Sequence, residues 1–246
     1  MLNRKTFLPL LVLLASCGSA PSPDEPRWRQ LREEMVQRTI AEPIDGRPPV
    51  RDPRVLTAMR TIPRHEFVPT EYRDQAYEDH PLRIGHGQTI SQPYIVAIMT
   101  ELAATRPEHR VLEVGTGSGY QAAVLSPLVM EVYTIEIIPA LGESARERLA
   151  RLGYKNVEVR IGDGYNGWPE KAPFDAIVVT AGAPHVPPAL VEQLNPGGRM
   201  VIPLGESSFD QNLVVIHKSK DGRSVRQETI MPVMFVPLTR EPATKK

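Results

Sequence analysis

The run Glu113-Val114-Gly115-Thr116-Gly117-Ser118-Gly119 closes a short apolar stretch that begins at Val111. Glycines at this spacing let the chain turn tightly and bring its backbone close to a ligand. Their pattern is GxGxG. A dinucleotide fingerprint needs a third glycine at the position held by Tyr120, and a phosphate-binding loop ends in Lys-Ser/Thr, which is absent here. The loop therefore disfavours a pyrophosphate and suits a nucleoside without phosphate, of which S-adenosylmethionine is one. Glu136 ends the next apolar run, residues 132–135, where its carboxylate can accept hydrogen bonds from both hydroxyls of a ribose. Ile137 follows and can pack on an adenine face. Gly162-Asp163-Gly164 ends a third run, and an aspartate between two glycines can meet the adenine amino group while the backbone stays close. Singly, each feature has a plain explanation, since a GxGxG can be only a turn and Glu136 only a solvated charge. Together they stand at the ends of three successive strands, where open parallel sheets bind ligands. The candidate cofactor residues are Glu113, Gly115, Thr116, Gly117, Gly119, Glu136, Ile137, Gly162 and Asp163.

Such a site has to be carried by alternating strands and helices. Residues 111–114, 132–135, 157–161, 176–179 and 200–203 are short apolar runs, each bounded by glycine, proline or polar residues. Residues 140–152 and 187–194 can supply helices between them. This alternation predicts a parallel sheet with helices on both faces. Residues 212–217 and 235–238 are later candidate strands, able to add an antiparallel edge. Ahead of the sheet, Trp28, Leu31 and Met35 share one helical face. Asp52-Pro53 reads as an N-cap followed by a first-turn proline, with Val55, Leu56, Met59 and Ile62 as the apolar face behind it. Residues 28–80 are thus a helical or irregular extension.

A second run, Ile84-Gly85-His86-Gly87-Gln88-Thr89-Ile90-Ser91-Gln92-Pro93-Tyr94, resembles the substrate-side motif of protein-L-isoaspartate O-methyltransferases. Residues 111–121, the Gly162-Asp163-Gly164 turn and Leu194-Asn195-Pro196-Gly197-Gly198-Arg199 are similar to that family too, so the likeness runs from near Pro63 to Leu238. Methyltransferases in general share the cofactor motifs; the Gly-Gln-Thr-Ile-Ser-Gln-Pro run is the specific element. The resemblance implies an α/β fold of the Rossmann-like class I methyltransferase type, a mostly parallel sheet with helices on both faces and an N-terminal helical extension. It implies S-adenosyl-L-methionine as methyl donor and isoaspartyl-containing proteins and peptides as partners. The methyl group would pass to the free carboxylate of L-isoaspartyl and D-aspartyl residues in damaged proteins, starting repair through methyl ester and succinimide. By the same resemblance Ser91 is the catalytic position and Thr239 lies near the site, while some members carry histidine where Tyr94 stands.

The chemistry asks little of the protein. A carboxylate, with a reference pKa of about 4, is already ionised at neutral pH and needs no general base. What the site must supply is alignment and exclusion of water. Ser91 and Thr89 can hold the carboxylate by hydrogen bonds without adding charge, whereas a lysine would pair with the nucleophile and blunt it. Ser91 also reads as a helix cap, because Ile95, Ile98, Met99 and Leu102 form an apolar face just beyond it and Pro93 fits a first turn. His86 and His185 read as loop residues, Trp168-Pro169 as a packed turn, and no cluster has metal-ligand spacing, so no metal is expected. Two other functions fit parts of the pattern. A class I methyltransferase acting on a small molecule would lack the Gly-Gln-Thr-Ile-Ser-Gln-Pro run. An inactive, membrane-tethered binding protein would have little reason to keep Glu136, Asp163 and the glycine loop. Tyr120 disfavours a nicotinamide dehydrogenase.

The chain has 246 residues, enough for one α/β domain with additional segments. Lys plus Arg and Asp plus Glu each total 29, so there is no bulk field for a nucleic acid or an anionic membrane, and no nucleic-acid partner is expected. Arg4 and Lys5 precede an apolar run at residues 7–14, broken only by Pro9 and followed by Ala15, Ser16 and Cys17. This is the layout of a secretory signal peptide, too short to span a bilayer. Leu14-Ala15-Ser16-Cys17 resembles a bacterial lipobox, whose cysteine is lipidated and becomes the new N-terminus. Cys17 is the only cysteine, so no intrachain disulfide can form. The expected organisation is a signal peptide at 1–16, a proline-rich tether at 17–26, one methyltransferase domain with its helical extension at 27–240, and a tail at 241–246. The expectation is a monomer exported to the periplasmic side, touching the membrane only through a lipid on Cys17, in contrast to the cytoplasmic members typical of the family.

Overall fold

The computed structural model describes residues 25–240; the stretches read as signal peptide, lipobox with Cys17 and tail, and most of the one read as tether, lie outside the described residues. Helix α1 (Glu25–Met35) begins inside the stretch read as tether and runs into a π-helical turn, Val36–Ala41. Helix α2 (Pro53–Thr61) starts as its sequence predicts, with the Asp52 side chain accepting from the Arg54 N–H and Pro53 in the first turn. These helices and the short turns after them bury Trp28, Met35, Ile40, Met59 and Phe67. Arg64 is wholly buried among them, its Nε donating to the Ala76 carbonyl at 2.8 Å and its guanidinium lying 4.9 Å from the Tyr120 ring centre. The extension is thereby tied to the helix that follows the glycine loop.

Strands β1 (Leu82–Gly85) and β2 (Gln88–Ile90) form an antiparallel hairpin that carries the Gly-Gln-Thr-Ile-Ser-Gln-Pro run. His86 sits in its turn with φ of 52°, between two glycines in the same left-handed region. After helix α3 (Pro93–Leu102) comes the main sheet. Its strands are β3 (Arg110–Val114), β4 (Glu131–Glu136), β5 (Val157–Ile161), β6 (Phe174–Val179), β7 (Leu194–Leu204), β8 (Gln211–Lys218) and β9 (Val225–Val233). Their order is β5-β4-β3-β6-β7-β8-β9, parallel through β7 and antiparallel for the last two. Helices α4 (Tyr120–Leu125), α5 (Pro139–Arg151) and α6 (Pro188–Gln193) make the crossovers, and one apolar cluster packs on each side of the sheet. The chain departs from β3 to β4 on one side and returns to β6 on the other. This is the topological switch at which open α/β sheets bind ligands.

One expected strand is corrected. Residues 235–238 do not form a strand; only Pro237 makes an isolated bridge, to Gly182. The closing strand is β9, whose first five residues are exposed and carry no apolar alternation to predict them. Residues beyond it fold back instead, with the Gly182 N–H donating to the Val236 carbonyl at 2.8 Å and the Leu238 N–H to the Gly182 carbonyl at 2.7 Å. Among the described residues, no helix is long and apolar enough to cross a membrane.

Candidate active site

A cavity opens at the carboxyl ends of β3, β4 and β6, where open parallel sheets bind ligands. The glycine loop forms its floor. Gly115, at φ of 99°, donates to the Ile135 carbonyl at 2.8 Å, and a Cβ there would meet the Thr180 hydroxyl oxygen. Thr180 donates to the Gly115 carbonyl at 2.6 Å, so β6 clamps the turn. The Thr116 and Thr134 hydroxyls pair at 2.6 Å across β3 and β4. Gly119 has a different task. It caps α4 at φ of 87°, packs against Leu149 and Ala145, and lies outside the cavity lining.

Glu136 holds the two halves of the floor together. One carboxylate oxygen accepts from the Gly117 N–H at 2.7 Å and the other from the Ile138 N–H at 3.0 Å. The side chain is nearly fully buried yet borders the cavity. A carboxylate accepts at about four positions, so two remain for ligand hydroxyls. Ile137 and Ile138 supply an apolar wall beside it. In the Gly162-Asp163-Gly164 turn only Gly164 lines the cavity. Asp163 accepts from the Tyr165 N–H at 2.8 Å and caps a short helical turn, which leaves its second oxygen unused by that cap.

Glu113 also borders the cavity, and its environment is severe. It has no solvent exposure, and neither carboxyl oxygen has a hydrogen-bond partner. Burial, helped by the nearby Glu136 charge, pushes its carboxyl up to about 8. A buried acid of this kind stays protonated at neutral pH. Because the folded state then binds the proton more tightly than the unfolded state, stability falls as pH rises from about 4.5 through about 8. Glu113→Gln should remove this slope. In urea titrations, the variant's stability relative to wild type is expected to grow by about 1.4 kcal/mol for each pH unit between pH 5 and 8; parallel curves would contradict the buried-acid assignment.

Among the described residues, no lysine, arginine or histidine lines this cavity. The Glu136 carboxylate repels a phosphate and suits a cation, and the backbone N–H groups nearby are already engaged by Glu136 and by strand carbonyls. A sulfonium nucleoside meets that requirement: Glu136 would hold its ribose and Ile137 would pack on its base.

Thr89 and Ser91 stand at the mouth, lining both this cavity and an adjoining groove. Among the described residues neither hydroxyl has a hydrogen-bond partner. The structure corrects the reading of Ser91 as a helix cap. α3 begins at Pro93 with Gln92 as its cap residue, and the Tyr94 N–H is met at 3.1 Å by Asp79 from outside the helix. Asp79 also accepts from Arg47 at 2.6 Å and from Gln92 at 2.8 Å. An acceptor so far back in the sequence leaves no local signature. Ser91 is thereby freed from the cap. Tyr94 has a packing role, buried with its hydroxyl on the Pro48 carbonyl and the Arg47 guanidinium over its ring.

The wall opposite the glycine loop comes from Thr180, Ala181 and the returning segment Val236, Pro237, Leu238 and Thr239. Of these, sequence reasoning singled out only Thr239. Thr180 could have been found as the first residue past the fourth apolar run. His86 and His185 are exposed and line neither opening, and Trp168 packs edge-on against Tyr133. Among the described residues, no group of three His, Cys, Asp or Glu is placed to hold a metal.

Comparison with known proteins adds four findings. The family profile of the protein-L-isoaspartate(D-aspartate) O-methyltransferases matches residues 35–243. The chain is 56% identical over 239 residues to protein-L-isoaspartate O-methyltransferase 2 of Syntrophobacter fumaroxidans, covering 95% of this chain and 96% of that one. It is 60% identical over 191 residues to the Polaromonas protein of the same name, covering 78% and 90%. Among solved structures, a Plasmodium falciparum protein assigned to the same activity, with S-adenosyl-L-homocysteine bound, superposes with a TM-score of 0.71 at 26% identity, covering 87% of this chain and 99% of that one.

Proposed function

The chain belongs to the protein-L-isoaspartate(D-aspartate) O-methyltransferase family, and from that premise we propose which of its residues carry the reaction. The enzyme uses S-adenosylmethionine to methylate isoaspartyl carboxylates in proteins. The observation that supports the assignment of roles is the cation-free cavity joined, at Thr89 and Ser91, to an open groove. Glu136 and the Gly115–Gly117 turn hold the nucleoside, Ile137 packs on its base, and Asp163 reaches its amino group with its free oxygen. Thr89 and Ser91 donate hydrogen bonds to the acceptor carboxylate and aim one oxygen at the methyl carbon. An oxygen–carbon bond forms while the carbon–sulfur bond breaks, and its electron pair returns to sulfur. The backbone amide nitrogen that follows then expels methanol from the ester to give the succinimide, without help from the protein.

A base-labile methyl ester, decaying to the succinimide, is therefore the expected product on an isoaspartyl peptide. A methyl group that survives mild base would sink the carboxylate assignment.

We further propose that the protein is exported and anchored through Cys17. Support comes from the sequence: Arg4 and Lys5, the apolar run, and a lone cysteine placed after Leu14-Ala15-Ser16. Single acyl chains anchor weakly and stable anchoring takes more than one, which multiply acylated lipoprotein cysteines provide. Cys17→Ser is expected to shift the full-length protein from the membrane fraction to the soluble fraction. Soluble fractionation of both forms would exclude the anchor and favour the cytoplasmic location typical of the family.

A further inference from the structure

The groove beside Ser91 holds more information than the methyl-transfer site needs. It is open to solvent and shares Thr89, Ser91, Thr180, Val236 and Pro237 with the first cavity. Whatever lies in it is therefore continuous with the group being methylated. Five large apolar side chains are exposed among the described residues: Ile44, Met130, Phe209, Val225 and Met234. One of the five, Met234, lines this groove from the stretch after β9. A large apolar side chain left exposed inside a groove suits a partner that covers it.

The charges point the same way. Among the described residues, Asp45 and Arg47 are the only ionisable ones in the lining, and they are paired at 2.7 Å, with Arg47 held a second time by Asp79 at 2.6 Å. No unpaired charge remains in the lining to reward a charged side chain, and desolvating one there would go uncompensated. Ile95, Met231, Val233 and Phe235 continue the apolar wall.

We infer that the groove receives the polypeptide flanking the isoaspartyl residue and selects acceptors whose flanks are apolar, with the exposed Met234 as the contact that sets this preference. The inference rests on the isoaspartyl assignment and adds to it a substrate class: damaged sites set among apolar residues, of the kind that unfolding exposes.

The test compares isoaspartyl hexapeptides flanked by leucine and valine with hexapeptides of equal length flanked by aspartate and glutamate. Wild type is expected to favour the apolar series by about tenfold in kcat/KM, carried by KM, as partial burial of one or two aliphatic side chains would give. The variant Met234→Ser should lose most of that preference while its S-adenosylmethionine affinity and melting temperature stay at wild-type values. Equal kcat/KM for both series in wild type overturns the inference while leaving the enzyme class intact. So does a dimer that Met234→Ser dissociates without changing flank preference, which would give the exposed Met234 to a second copy. Transfer to none of the isoaspartyl peptides would overturn the functional assignment and the groove's role together.

Discussion

Glu136→Ala is expected to weaken S-adenosylmethionine binding by roughly two orders of magnitude. Each hydrogen bond to a charged group contributes about 1.5–3 kcal/mol, and a factor of ten in affinity corresponds to about 1.4 kcal/mol. Two ribose hydroxyls lose their acceptor together. The same substitution removes the partner of the Gly117 and Ile138 N–H groups, so the floor of the cavity loses its brace as well. Glu136→Gln should recover only part of the loss, because its amide nitrogen must face one of those N–H donors. Since the ribose is common to donor and product, S-adenosylhomocysteine should lose affinity to the same degree. The Glu136→Gln variant also removes the negative charge that helps keep Glu113 protonated, and Glu113 should then titrate lower. Calorimetry that finds unchanged affinity for both ligands would remove Glu136 from its assigned role.

Ser91 carries the second large effect. Because Asp79, and not Ser91, meets the first free N–H of α3, substitutions at Ser91 should leave the helix intact. Ser91→Gly deletes one hydrogen bond to the acceptor carboxylate and is expected to slow methyl transfer by about tenfold to a hundredfold. Ser91→Asp places a second negative charge against the nucleophile. Two like charges about 4 Å apart at an effective dielectric of about 20 repel by about 4 kcal/mol, or roughly three orders of magnitude in rate. Melting temperatures of both variants should match wild type. Single-turnover transfer at wild-type rate in both variants would show that Ser91 does not position the acceptor.

The parts of the fold that were legible share a physical cause. β3, β4 and β6 lie inside the sheet, so each reads as a compact apolar run closed by a glycine or a polar residue. The residues that line the cavity stand just beyond those runs, which is why Gly115, Gly117 and Glu136 could be placed from spacing alone. β9 escaped notice because an edge strand buries little: its ladder comes from pairing with β8 and leaves no alternation in the sequence. Residues 235–238 misled for the opposite reason. They are apolar because they close the cavity and pair with the loop at Gly182, not because they extend the sheet. Gly119 belongs to the glycine pattern for its left-handed φ and its packing on Leu149, so the motif correctly marks a loop but overstates the ligand contact. The Asp79 network was invisible because its partners, Arg47, Gln92 and Tyr94, meet only when the extension folds over the hairpin.

The central claim is that this site methylates the α-carboxylate left free when the chain runs on through the aspartyl side chain, and passes over the ordinary side-chain carboxylate. The most direct test pairs an isoaspartyl peptide with its aspartyl twin, identical in sequence and differing only in which carboxyl group continues the chain. With S-adenosylmethionine present, the account predicts a base-labile methyl ester on the isoaspartyl peptide and none above background on the twin. Equal methylation of the two, or none on either by a protein that binds the methyl donor, would contradict it.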